Sequence, residues 1–175
     1  MELFRFDYTI SEEDYIKFNL YYMLHDANTK KSLTMMQWLV PAIVIVVGLL
    51  LVRDTAIWIF YGILCALWIA FSKKLMLKSA VRNIRKMGKK GTLPYSSKGT
   101  VIFTENSVTD KGNRATTEIE YAQIEKVCFF EDYIYVFFSS VGAVIINLAS
   151  IPETDRAKPE EILRGKVSAE KLLRD

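Results

Sequence analysis

The side chains able to do nucleophilic, acid–base or metal chemistry are few in this sequence. The candidates are His25, Cys128, the Ser139-Ser140 pair, the glycine-lysine pairs of MGKKGT and RGKVS, and the acids Glu12, Glu13 and Asp14. His25 stands beside Asp26 near the end of a helical stretch and reads as a surface residue. A metal centre needs three or four convergent ligands, and none is spaced for it. Cys128, between Val127 and Phe129 in an apolar β run, reads as a core thiol. Ser139-Ser140 has no general base near it in sequence. The glycine-lysine pairs lack the spacing and hydroxyl of a phosphate loop. Glu12, Glu13 and Asp14 suit the positive end of a helix and need no catalytic explanation. The expectation is a non-enzymatic protein, with no catalytic, cofactor-binding or metal residue assigned.

What the elements must position is therefore a surface. The chain has 175 residues, 51% apolar and 25% charged, with a net charge of +3. Residues 1–34 carry 4 basic and 6 acidic groups, and residues 35–72 carry one of each. Residues 73–94 carry 8 basic groups and no acid, and residues 95–175 carry 10 and 13. The positive excess thus lies in one short segment, which excludes a uniformly basic nucleic-acid coat, a disordered chain and a plain soluble globule.

Just before that segment stand two uncharged runs, Met35 to Val52 and Thr55 to Ser72, separated by Arg53-Asp54. Each helix would reach about 27 Å, close to the roughly 30 Å of bilayer hydrocarbon. As one straight helix the pair would place Arg53 and Asp54 near mid-bilayer, at about 2.5–3.5 kcal/mol per charge. A hairpin with the charged pair at the far surface avoids this. Folding about that turn puts Trp38 and Trp68 at one depth and Trp58 and Tyr61 toward the other surface, as two membrane-interface belts would be. Lys30 and Lys31 precede the first span and eight basic residues follow the second, so both termini are expected in the cytoplasm. The first 30 residues hold six acids and read as no secretory signal. Cys65 and Cys128 fall in separate regions, and no disulfide is expected.

Gly62, Ala66 and Ala70 recur four apart on the second span. Such a stripe admits a close helix, either the first span near Ile45 and Gly48 or a second copy in a homodimer seam. Lys73 to Lys90 reads as a further helix, with an apolar stripe of Leu77, Ala80, Val81, Ile84 and Met87, ended by Gly88, Gly91 and Pro94. Its Lys73, Lys74, Lys78, Arg82, Arg85, Lys86, Lys89 and Lys90 are expected to rest against anionic lipid headgroups, at roughly 1 kcal/mol each. An acidic protein partner is the alternative. Nucleic acid is not expected, because no stacking aromatics interleave the cations.

At the N-terminus Phe4, Phe6, Tyr8 and Ile10 alternate with polar residues, the pattern of a half-buried strand. Ser11 and Asp14 then open a helix from about Glu12. Short β runs fill the C-terminal third: GTVIFT, SVTD, ATTEIEY, IEKVCFFE, YIYVFFSS and AVIINLA, about seven strands with the N-terminal one. EEILRGKVSAEKLLRD, after Pro159, reads as a closing helix that Gly165 weakens or breaks. The expected fold is membrane α+β: a transmembrane hairpin and a small cytoplasmic antiparallel β module closed by a helix. Its segments are 1–34 (strand and helix), 35–72 (hairpin), 73–94 (basic helix and linker) and 95–175 (β module).

This order of elements resembles the YcxB-like family of bacterial membrane proteins. The resemblance rests on FRFDYTISEEDYIKF, the two-span hairpin, TVIFTENSVT, EIEYAQIEKVCFFEDYIYVFF and GAVIINLASIPE. It implies a bacterial cytoplasmic membrane location and a pleckstrin-homology-like sheet, a fold associated with protein or lipid binding. The module is net acidic and offers only Lys98, Lys111 and Arg114 in its early loops, which disfavours inositide headgroups and favours a protein partner. The functional expectation is a membrane-anchored binding or regulatory module; the alternative is an accessory or immunity component that assists or protects a transporter through its hairpin.

Overall fold

The computed structural model describes residues 1–139 and 142–174, so Ser140 of the Ser139-Ser140 pair lies outside the described residues. The chain is α+β and divides into two compact units: Met1–Tyr15 with Pro94–Asp175, and Ile16–Leu93.

The first unit holds two four-stranded sheets. Strand β1 (Glu2–Thr9) buries Phe6 and Tyr8 and exposes Arg5, Asp7 and Thr9, as its alternation requires. It pairs antiparallel with β2 (Lys98–Thr104), which pairs with β3 (Ser107–Gly112), and β3 with β4 (Thr116–Glu120). Gly99 sits opposite both Tyr8 and Gly112. A Cβ there would lie 2.6 Å from the Lys111 carbonyl oxygen and 2.7 Å from the Tyr8 hydroxyl. The bare glycine thus lets the Tyr8 ring cross β2, and its hydroxyl donates to Asp110 Oδ1 on β3 at 2.7 Å.

The second sheet has the order β7-β6-β5-β8. β5 (Lys126–Phe130) and β6 (Tyr133–Phe137) join through a two-residue turn in which Glu131 takes a left-handed φ of 48°. β6 is buried at all five positions, as its two-sided apolar sequence requires, and pairs with β7 (Ala143–Asn147). Helix α4 (Lys158–Lys166) has Pro159 in its first turn and Leu163 fully buried.

The closing helix is shorter than the sequence suggests. It passes through Gly165 and stops at Lys166, and Leu172–Arg174 form β8, parallel to β5. AEKLLR has good helix formers, but long-range pairing outweighs that preference. Lys171 Nζ donates to the Ile124 carbonyl at 2.6 Å, and Leu172 and Leu173 lie opposite Val127 and Cys128. Among the described residues the strands therefore number eight, and all their pairings there except β5–β8 are antiparallel.

Helix α1 (Glu12–His25) begins in the first unit and continues into the second, which also contains α2 (Ala27–Leu51) and α3 (Thr55–Lys89). Both long helices are long and apolar enough to cross a membrane. Asp26 caps α2 by accepting from the Thr29 N–H at 3.0 Å. Asp54 caps α3 by accepting from the Ala56 N–H at 2.9 Å, so the charged pair between the apolar runs supplies the cap of the returning helix.

The structure departs from the sequence pattern at two places in these helices. The basic segment is not a separate helix: α3 runs unbroken for 35 residues, because no glycine or proline stands between Gly62 and Gly88. It ends where Gly91 adopts φ +65°, with Thr92 N–H donating to the Met87 carbonyl and Gly91 N–H to that of Gly88. Secondly, Gly62, Ala66 and Ala70 do not pack on α2. All three are exposed, and a Cβ on Gly62 would meet nothing within 4 Å. The residues turned inward on this part of α3 are Trp58, Tyr61, Cys65, Trp68 and Ser72, alternately three and four apart, with Ile69 beside Trp68. On α2 they are Gln37, Pro41, Val44 and Gly48. Bulky rings on one helix therefore face small residues on the other.

At Gly48 the two helices approach closely. A Cβ there would lie 3.0 Å from Trp58 and 3.2 Å from Tyr61. Gly48→Leu is expected to loosen the helix pair by about 1–3 kcal/mol, as overpacking does. Gly62→Leu is expected to leave it unchanged. Thermal melting of both variants in detergent, followed by tryptophan fluorescence, checks the contrast.

Candidate functional site

The C-terminal half of α3 carries the densest charge in the molecule. Lys78, Arg82, Arg85, Lys86 and Lys89 recur at i, i+4, i+7, i+8 and i+11, and with Val81 they line a groove of about 380 Å³. The five cations are exposed and Val81 is half-buried. Ile84 is buried, and Leu77, Ala80 and Met87 are half-buried, as the amphipathic pattern requires. Lys86 and Lys89 stand in the last turn, where the helix dipole favours cations. Lys73, Lys74 and Lys90 are exposed but line no part of the groove. The structure thus brings together five of the eight expected basic contacts and adds an apolar floor.

The four aromatic residues expected at a membrane interface are placed unequally. Trp38 is 58% exposed. Trp58 and Tyr61 meet edge-on, centroids 6.2 Å apart, around Gly48. Trp68 is half-buried, and its indole Nε1 has no hydrogen-bond partner among the described residues, as is true of the fully buried Ser72 Oγ. Gln37 Nε2 donates to the Ile69 carbonyl at 2.6 Å, tying the two helices on the side away from the Arg53-Asp54 turn. An apolar groove of about 340 Å³ lies between α2 and α3, lined by Pro41, Val44, Cys65, Trp68, Phe71, Leu75 and neighbours.

In the first unit the perturbed groups are phenols and the carboxyl of Asp110. Tyr133 OH donates to Asp14 Oδ1 at 2.5 Å, and burial followed by that carboxylate raises its pKa. Asp14 Oδ2 also accepts from the Ser11 N–H and hydroxyl, at 2.8 Å each, so one carboxylate caps α1 and receives β6. Burial likewise raises Tyr8, with Asp110 adding to it, and raises Asp110 itself. Tyr121 is pushed up to about 12 by burial and donates to the Thr104 carbonyl at 2.9 Å. Neutral phenols of this kind serve as hydrogen-bond donors between elements. The capping use of Asp14 is legible in Ser11-to-Asp14 spacing; its bond to Tyr133, 119 residues away, leaves no local signal.

His25 stacks on Tyr21 with centroids 4.3 Å apart, and its Nδ1–H donates to the Tyr21 carbonyl at 2.9 Å. Cys128 is buried in β5 and Cys65 is half-buried on α3. Among the described residues no three His, Cys, Asp or Glu side chains converge as metal ligands would.

Residues 103–159 match the family described as YcxB-like protein. The resemblance seen in the sequence is thereby met over that stretch, which runs from Phe103 in β2 to Pro159 in α4. The YcxB-like segment lies wholly within the first unit and leaves out the long helices and the basic groove. No curated protein and no solved structure matches the chain.

Proposed function

We propose that the protein is a non-enzymatic binding or regulatory module anchored in a bacterial cytoplasmic membrane by the α2–α3 hairpin, with both termini in the cytoplasm. The observation that carries the anchor is apolar exposure. Between Met35 and Leu75, twenty large apolar side chains are exposed, Leu49, Leu50 and Leu51 by 70–79%. At about 1.5–3 kcal/mol per fully buried side chain, leaving that surface in water forgoes tens of kcal/mol, more than the roughly 5–15 kcal/mol of a domain's net stability. Lipid is the covering that removes this cost.

The positive residues beside both outer helix ends support the orientation. Two sheets closed by α4 through Leu163 support a pleckstrin-homology-like reading of the first unit. The phenol–carboxylate pairs Tyr133–Asp14 and Tyr8–Asp110 hold elements together and support a scaffold for binding rather than for proton transfer. Lys73 and Lys74, nearest the apolar run, are the residues this reading assigns to anionic headgroups. A protein partner is its second contact.

The apolar groove between α2 and α3 favours a second reading, in which the hairpin itself assists or protects a transporter or seats another copy. Exchange of residues 35–52 and 55–72 for unrelated spans separates the two. Photo-crosslinking in cells from the exposed face of β4 is expected to give the same partner band in the exchanged and native proteins. Loss of that band upon exchange would reject the leading reading in favour of the hairpin.

A further inference from the structure

The unbroken course of α3 changes what its cations can reach. The last large exposed apolar side chain on α3 is Leu75. At about 1.5 Å per residue, Lys78 stands some 4–5 Å past it and Arg82 about 10 Å past it. Arg85, Lys86 and Lys89 stand about 15–21 Å past it. A headgroup layer is roughly 5–8 Å thick, and the field of anionic lipid fades over a Debye length of about 8 Å. A helix lying on the surface would place all its cations among phosphates. An uninterrupted one extending from the span carries most of them clear.

From this we infer that the cationic face from Lys78 to Lys89 is a docking surface for an acidic helix of a partner protein. The inference deepens the membrane-anchored reading and rests on it. Two features select the occupant. The spacing i, i+4, i+7, i+8, i+11 covers about 16 Å of one helix face, which a second helix with carboxylates at i, i+4, i+7 and i+11 matches. The floor is Val81, an aliphatic contact that suits a leucine or valine between those carboxylates. A single-stranded nucleic acid calls for stacking rings, and the groove lining contains none.

The test uses the full chain in nanodiscs of phosphatidylcholine alone. The probe is a fluorescein-labelled synthetic helix with glutamates at those positions around one leucine, and the readout is anisotropy. Binding is expected, weakened roughly tenfold or more by the pair Arg82→Glu and Arg85→Glu, and less than about twofold by Lys73→Glu with Lys74→Glu. A scrambled peptide of equal composition should bind roughly tenfold more weakly. Circular dichroism identical to the native chain shows that the variants are folded. Equal binding of the scrambled peptide, an equal loss from the Lys73/Lys74 pair, or a uridine oligonucleotide binding as tightly would each overturn the proposal. So would abolition of peptide binding when phosphatidylglycerol replaces phosphatidylcholine at constant ionic strength, since lipid would then be the occupant. A chain that fails to enter nanodiscs, seen by size-exclusion before peptide is added, overturns the membrane reading and the docking surface together. Failure of docking alone leaves that earlier step intact.

Discussion

Arginine in place of both Ile43 and Ile63 is expected to leave the chain out of the carbonate-washed membrane fraction. These residues lie near the middle of the two apolar runs, and their side chains are 53% and 55% exposed. In water, replacing an exposed apolar residue away from the core changes stability by about half a kcal/mol at most. At the centre of a membrane helix each arginine costs about 2.5–3.5 kcal/mol on insertion scales. Two of them amount to roughly a thousandfold or more in the insertion equilibrium. The control pair Ile43→Leu and Ile63→Leu should fractionate like the native protein. Equal membrane retention of the arginine pair would mean that these faces do not meet lipid. The exposed surface of α2 and α3 would then require another cover.

Leu163→Ala is expected to destabilise the first unit by about 2–5 kcal/mol, a large part of a small domain's stability. The side chain is fully buried and belongs to a nine-residue helix too short to persist without packing. Arg164 from the same helix lies 5.0 Å from the Phe129 ring centroid on β5, the strand that β8 pairs with. Loss of α4 should therefore loosen the β5–β8 edge as well. All three tryptophans lie on α2 and α3, while six of the nine tyrosines belong to the first unit. Urea unfolding read by near-ultraviolet tyrosine dichroism should shift to lower denaturant, with tryptophan fluorescence unchanged up to that point. A midpoint like that of the native protein would show that α4 is not integral to the core.

The features legible in the sequence are those set by short-range periodicity. Alternation in FRFDYTI gives β1, the uncharged runs give α2 and α3, and the two-sided apolarity of YIYVFF marks β6 as a buried central strand. Gly91 signals the end of α3 because a left-handed residue is needed there. What escaped depends on contacts between distant residues. Leu172 and Leu173 have good helix propensity, yet form a strand because the edge of β5 is available to them. The small-residue stripe at Gly62, Ala66 and Ala70 has the right spacing for a helix seam, but so does the line of Trp58, Tyr61, Cys65 and Trp68. The contact at Gly48 selects the second. The groove on α3 follows from its sequence as a basic face, whereas its unbroken junction with the apolar run depends on the absence of a helix breaker at Ser72-Lys73. That absence is a weak signal beside the abrupt change in polarity.

The α2–α3 pair is expected to enter the bilayer and return to the side from which it came. This topology is tested most directly with single-cysteine chains in which Cys65 and Cys128 are replaced by alanine. New cysteines go at Glu2, at Arg53 and at Arg174, and the reagent is a membrane-impermeant maleimide applied to sealed vesicles of known orientation. Positions 2 and 174 are expected to react from the cytoplasmic face only and position 53 from the opposite face only. Labelling of the two ends from opposite faces, or of all three positions from one face, would contradict this topology.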